Sequence, residues 1–259
     1  MKNRAAIVTG STSGIGLGIA TCLARAGVNV MLNGFGDTQE IEKLRSGLEK
    51  DYGVRVQYHP ADLRSPADIR DMVAAAEKIF GTVDILVNNA GIQYVSPVET
   101  FPEEKWNDVL AVNLSAAFHG SKAVLPMMQK NKFGRIINIG SAHSQVASKD
   151  KSAYVAAKHG LIGLTKVIAL ENATKGITCN TVCPGWVLTP LVQKQIDARA
   201  AAQGISAEQA SQSLLAEKQP AMQFATAEQI GDMVVYLCSP SANLITGTAL
   251  TIDGGWTAQ

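Results

Sequence analysis

The sequence predicts an α/β fold: a doubly wound sheet of seven mostly parallel strands with helices on both faces. Short runs rich in β-branched residues alternate with longer amphipathic segments from one end of the chain to the other, the pattern of βαβ units around a parallel sheet. A glycine-rich stretch separates the first run from the first amphipathic segment. The length of 259 residues suits one large buried core and crowds a second, so 1–259 is expected to be a single domain.

In chain order, strands are expected at Ala5 to Thr9, Asn29 to Asn33, Arg55 to His59, Ile85 to Asn88, Ile136 to Ile139, Thr178 to Val182 and Ala249 to Ile252. Helical spacing of apolar residues fills the intervals at Ile15 to Ala26, Thr38 to Tyr52, Pro66 to Phe80, Pro102 to Gln129, Ala153 to Thr174 and Ala227 to Cys238. Thr226 followed three residues on by Gln229 forms a capping box that fixes the start of the last helix. Between Pro190 and Thr226 the rhythm breaks: the stretch is polar, rich in Ala and Gln, and helical in propensity without a prompt strand. That excess over an ordinary connection suggests a helical substrate lid, about 187–225, against the alternative of a surface excursion without a role.

Composition narrows the function classes. With 23 basic and 22 acidic residues there is no net field to attract a polyanion, so nucleic acid is not an expected partner. No signal-peptide pattern opens the chain and no apolar run approaches a membrane span, so a cytoplasmic protein without membrane contact is expected. Cys22, Cys179, Cys183 and Cys238 form no Cys-x-x-Cys pair and sit in apolar stretches, which suits reduced core thiols; no metal site is expected.

The chemistry begins after the first strand, at Thr9-Gly10-Ser11-Thr12-Ser13-Gly14-Ile15-Gly16. Glycines there allow a tight turn and close approach of a pyrophosphate, and the following helix offers free N–H groups at its positive end. No Gly-Lys-Ser or Gly-Lys-Thr follows, which argues against a nucleoside triphosphatase. A Rossmann-type dinucleotide site is the reading that fits. The second strand ends Leu32-Asn33-Gly34-Phe35-Gly36-Asp37, without a basic residue to neutralise a ribose 2′-phosphate, and Phe35 can pack on the adenosine; NAD is therefore preferred over NADP. At the end of the third strand, Asp62 either accepts from the adenine amino group or caps the helix beginning near Pro66.

In Ser152-Ala153-Tyr154-Val155-Ala156-Ala157-Lys158 the four-residue spacing puts Tyr154 and Lys158 on one helix face. A nearby ammonium and a cationic nicotinamide would both favour the phenolate, making the pair a base tuned by charge. Tyr-x-x-x-Lys also occurs by chance as a surface pair, and the context decides. Asn138-Ile139-Gly140-Ser141 ends one strand thirteen residues before Tyr154, and Val87-Asn88-Asn89-Ala90-Gly91 ends another. With the glycine-rich loop, these ordered motifs resemble the short-chain dehydrogenase/reductase family over the entire chain.

That resemblance implies Tyr154 as acid/base, Lys158 lowering its pKa and holding the nicotinamide ribose, and Ser141 bonded to the reacting oxygen. It implies that Asn113, in Leu110-Ala111-Val112-Asn113, holds a water in a proton relay through Lys158. It implies a cofactor lining of Gly10, Thr12, Gly14, Ile15, Gly16, Phe35, Asp62, Leu63, Asn89, Gly91, Pro184, Gly185, Val187 and Thr189, together with Tyr154 and Lys158. The chain departs from the pattern at Gly34, where NAD-preferring members usually carry Asp.

Within the family, segments such as Ser141-Ala142-His143, Asp150-Lys151-Ser152, Glu217-Lys218-Gln219-Pro220 and Asp253-Gly254-Gly255-Trp256 are most similar to members acting on a short 3-hydroxy acid. The resemblance implies oxidation of (R)-3-hydroxybutyrate to acetoacetate and the reverse. Gln93, His143, Lys151 and Gln195 would converge on the carboxylate, while Trp186 and Trp256 enclose the apolar end. The chemistry is consistent, since a desolvated carboxylate needs a cation and donors to replace water; on the residues alone, His143 also reads as a satisfied loop histidine, and Gln93 and Gln195 as solvated. A homotetramer joined through the helices of Asn113 and Tyr154 and the C-terminal strand is also implied. The rivals are another reductase of the family, acting on 3-oxoacyl thioesters with NADPH, and a non-catalytic nucleotide sensor on the same scaffold.

Overall fold

The apolar runs become strands of one sheet because almost every residue in them is covered on both faces. In a computed structural model, which describes residues 1–258, β1 (Ala5–Val8), β2 (Asn29–Asn33), β3 (Val56–His59), β4 (Ile85–Asn88), β5 (Gly134–Ile139), β6 (Ile177–Pro184) and β7 (Ala249–Ile252) lie in the order β3-β2-β1-β4-β5-β6-β7. Every neighbouring pair is parallel. The order reverses between β1 and β4, and the crevice beyond their carboxyl ends is where such sheets bind ligands.

Alternate strand residues feed two cores. Ala6 and Val8 face the side covered by α1 (Gly14–Arg25), α2 (Thr38–Tyr52) and α9 (Ala227–Cys238), where Ile19, Leu23, Leu48, Val234 and Leu237 pack. Ile7 faces α3 (Pro66–Phe80), α5 (Ala116–Asn131) and α6 (Ser152–Asn172), where Ile69, Met72, Val124, Met128 and Ile168 close the opposite layer. The four cysteines are free and buried in these layers.

Three differences from the sequence reading have physical causes. β5 and β6 begin earlier than expected because Gly134 and Arg135 pair with Ile177 and Thr178, extending the ladder to its base. The single helix expected over Pro102 to Gln129 is two, α4 (Glu103–Leu110) and α5, joined by a π-helical turn over Ala111–Ser115. And α6 is long and apolar enough, by length and mean hydropathy, to cross a membrane, against the expectation that no run would be; it packs on β6 with Leu161, Thr165, Ile168 and Ala169 buried.

The stretch before α9 folds as α7 (Pro190–Gln203) and α8 (Ala207–Ala216), started by Thr189 and by a Ser206/Gln209 capping box. Val192, Ile196, Ala210 and Leu214 form a small core of their own, against which Trp186 and Phe224 pack. The Thr226/Gln229 box is present as expected.

Candidate active site

A cavity of about 620 Å³ opens at the β1/β4 crevice. Gly10, Thr12, Gly14, Ile15, Gly16, Phe35, Asp62, Leu63, Asn89, Gly91 and Thr189, all assigned to the cofactor in the sequence reading, line it. Pro184, Gly185 and Val187 lie outside that lining: Pro184 ends β6, and Val187 bridges to Ala225. The N-terminus of α1 faces the cavity without a cap, since the Ser13 side chain accepts no hydrogen bond and the first turn holds no acid. Asp37 and Ser65, by contrast, cap α2 and α3. The unclaimed N–H groups and the positive end of the helix fit a pyrophosphate, so the residues present suit a dinucleotide.

Buried amides hold this loop in shape. The Asn89 side chain donates to Thr9 O at 2.8 Å and Gly10 O at 3.1 Å, so it braces the loop as well as lining the cavity. A Cβ at Gly16 would stand 2.2 Å from Gly10 O and 2.5 Å from Asn89 Nδ2, which requires glycine there. Asn33, to which the sequence assigned no role, donates to His59 O and Ala61 O and accepts from Gly10 N, tying three strand ends together.

At the adenosine end Phe35 is 70% exposed within the cavity wall, placed to pack on a base. The expectation that a 2′-phosphate would meet no cation needs correction, because Arg64 also lines the cavity. Its guanidinium is already engaged by Asp62, at 2.7 Å from Nη2 to Oδ2. The same pair settles the two readings of Asp62 in part: Ser65, not Asp62, caps α3.

α6 contributes no residue to that lining, so Tyr154 and Lys158 also lie outside it, with Lys158 directly behind Gly91. The 3%-exposed Lys158 donates from Nζ to Ile139 O at 2.7 Å and lies 5.6 Å from the Tyr154 ring centre. A Cβ on Gly91 would be 3.7 Å from Lys158 Nζ and 3.5 Å from Asn113 Oδ1, so both side chains lie directly beneath a cavity wall. Burial pushes the Lys158 ammonium down to about 8 and the Tyr154 phenol up, the hydrogen bond with Ser141 drawing the phenol partly back. The expected depression of the phenol by Lys158 is therefore not a property of the free chain.

Asn113 sits in the π turn, 2% exposed, with its amide accepting from Ile92 N at 2.8 Å and donating to Ile92 O at 2.9 Å. Its side chain thus fixes the segment after β4, and these two bonds leave one N–H and one oxygen lone pair of the amide unused.

Beyond Tyr154 is a packed cluster of polar and aromatic side chains. Ser141, two residues after β5, caps the short turn Ala142–Ser144 and lies 3.4 Å from His143 Nδ1; His143 Nε2 meets Ser148 Oγ at 2.8 Å. The His143 ring packs edge-on against Tyr154 at 5.9 Å and Trp256 at 5.2 Å, and Trp186 lies 6.0 Å from Trp256. Burial, then the charges of Lys151, Lys218 and His159, push His143 down to about 4 and keep it neutral. Lys151, at the N-terminus of α6, is also lowered, by burial and then by Lys218. Asp253 holds the turn bearing Trp256 by accepting from Gly255 N and Thr257 N. Gln93 and Gln195 do not join this group; both are exposed, Gln195 on the outer face of α7.

The comparisons agree with this geometry. A family described as enoyl-(acyl carrier protein) reductase matches residues 10–257. The chain is 52% identical to a D-beta-hydroxybutyrate dehydrogenase of Cupriavidus necator, with 100% of both chains covered. It is 51% identical to a protein of the same description from Rhizobium meliloti, with 99% of each covered. Among solved structures, L-sorbose reductase from Gluconobacter frateurii, complexed with NADPH and L-sorbose, superposes with a TM-score of 0.95 at 29% identity, covering 100% of this chain and 98% of that one.

Proposed function

Since the chain belongs to the short-chain dehydrogenase/reductase family, we propose that it oxidises (R)-3-hydroxybutyrate to acetoacetate, and runs the reverse, with NAD and with Tyr154 as acid/base. The observation that carries the reading is the position of Lys158, its ammonium behind Gly91 of the dinucleotide cavity and one helical turn from Tyr154, whose ring packs on His143 with Ser141 and the two tryptophans beside it. The activity of the two relatives supplies the substrate.

A bound oxidised nicotinamide supplies the hydride acceptor and a positive charge. The Tyr154 oxygen, once ionised, would take the proton of the substrate hydroxyl in oxidation and return it in reduction. The Ser141 hydroxyl holds the reacting oxygen from the opposite side. Lys158, lowered to about 8, exchanges protons with the phenol near neutral pH. The relay onward from Lys158 runs through a water held by Asn113, whose side chain keeps one N–H and one oxygen lone pair beyond its two bonds to Ile92.

Lys151 and the neutral His143 bind the substrate carboxylate, and Trp186 and Trp256 shield its methyl end. Gln195 joins the carboxylate as α7 and α8 move inward as a lid, their separate core supporting motion as a unit, and Gln93 joins from the segment after β4. NAD is preferred because no basic residue stands at the β2 end and Arg64 is held by Asp62. The NADPH in the sorbose reductase makes NADP the necessary control. We further propose one catalytic domain, a cytoplasmic setting in keeping with four free thiols, and a homotetramer.

NAD reduction assayed with each enantiomer of 3-hydroxybutyrate, and with NADP in place of NAD, tests the whole reading: turnover is expected with the R form and NAD. Tyr154→Phe should bind NADH as wild type does while losing turnover by at least about 10²-fold. Near-normal turnover in that variant would exclude Tyr154 as the base.

A further inference from the structure

The turn after α8 is pinned against both tryptophan-bearing segments. Gln219, 2% exposed, accepts from Trp186 N at 2.8 Å through Oε1. Ala221 N donates to Gly254 O at 3.0 Å, and Pro220 lies against Gly255. Lys218, half-buried, immediately precedes this anchored residue, so its main chain is held beside the segments that carry Trp186 and Trp256.

Its charge has no local owner. The adjacent Glu217 is paired with Arg199 at 2.6 Å, and among the described residues no carboxylate lies within ion-pair distance of Lys218. Two partly buried ammonium groups near one another, without an anion, form an unfavourable arrangement that a bound anion relieves. The charge of Lys218 reaches Lys151 and His143 and lowers both. One cation would balance a single carboxylate; two of them, with a neutral imidazole as hydrogen-bonding partner, draw the anion in and discriminate against an uncharged ketone.

We infer that Lys218 is a second substrate-positioning cation, acting with Lys151 on the carboxylate of the hydroxy acid; this rests on the substrate reading above. The sequence contained Lys218 inside a matching segment without giving it a task.

The test compares wild type, Lys218→Met and Lys218→Arg with 3-hydroxybutyrate, acetoacetate and the uncharged methyl acetoacetate. The methionine variant should raise KM for both acids about ten-fold with kcat within about two-fold, and the arginine variant should restore most of the loss. KM for the methyl ester should not move. Independently of turnover, the midpoint of the His143 imidazole titration, read by NMR, should lie higher in the methionine variant than in wild type. Unchanged KM for the acids, an equal rise for the ester, or an unmoved His143 midpoint overturns the role of Lys218 alone. Wild-type inactivity towards both acids overturns the substrate reading, and with it the partner assigned to Lys218.

Discussion

Burial moves Tyr154 and Lys158 in opposite directions, the phenol up from its ordinary value and the ammonium down to about 8. In the free chain the phenol is thereby held neutral, while the ammonium, though lowered, stays mostly protonated at neutral pH. Gly34 shows a second local constraint. Its φ is +151°, and a Cβ there would lie 2.5 Å from Thr12 Oγ1, which donates to Phe35 O at 3.1 Å. The Asp that would ordinarily grip a ribose 2′-hydroxyl has no room at this point. Gly34→Asp should therefore weaken NADH binding about ten-fold, the equivalent of about 1.4 kcal/mol, rather than sharpen selectivity; tighter binding in a fluorescence titration would refute this account. Tyr154, Lys158 and the glycine-rich loop were legible because spacing along a helix or turn is itself the signal. Arg64 and Lys218 were not, since each reaches its site across a distance in space that one-dimensional spacing does not encode.

The helix that carries Tyr154 and Lys158 is tied to the sheet by a buried polar chain. Asn88 Nδ2 donates to Asn138 Oδ1, Asn138 Nδ2 to Thr165 Oγ1, and Thr165 shares a hydrogen bond with Thr181, each at 2.8 Å. The chain links β4, β5, α6 and β6 across the region where Ser141 and Gly91 emerge. Apolar packing alone would hold α6 to the sheet with less control of its axial position; directional bonds fix it. Thr165→Val keeps the shape but leaves Asn138 and Thr181 unsatisfied, which should cost about 1–3 kcal/mol, with Tm falling about 2–4 °C per kcal/mol. Thr165→Ser should retain most of the stability, and equal melting temperatures for the two variants would remove the network from the explanation. The sequence exposed none of this, because Asn138 and Thr165 read as ordinary polar residues in apolar runs. It also smoothed over the π turn, whose extra residue leaves the apolar repeat of α4 and α5 nearly in phase.

Across the molecule, apolar surface is left uncovered on the side of α4, α5 and α6. Trp106 is 37% exposed, Phe118 46%, Val167 51% and Leu170 80%, and only 39% of the most apolar window of α6 is buried within the chain. Surface of this kind on helices that also bear the catalytic candidates calls for a protein partner. A second copy of the chain suits it, because in a two-fold interface a helix meets its own equivalent and each apolar side chain is covered by symmetry. The edge strand β7, with Leu244 96% exposed just before it, offers the second contact that a tetramer needs. Leu170→Glu places two like charges near one such axis, where the repulsion and the desolvation of both carboxylates oppose assembly. Sedimentation velocity should show wild type as a tetramer and the variant shifted to dimers or monomers, with turnover falling as α6 loses its outer support. A monomeric wild type, or a variant that sediments unchanged, would assign this apolar face to something other than self-association.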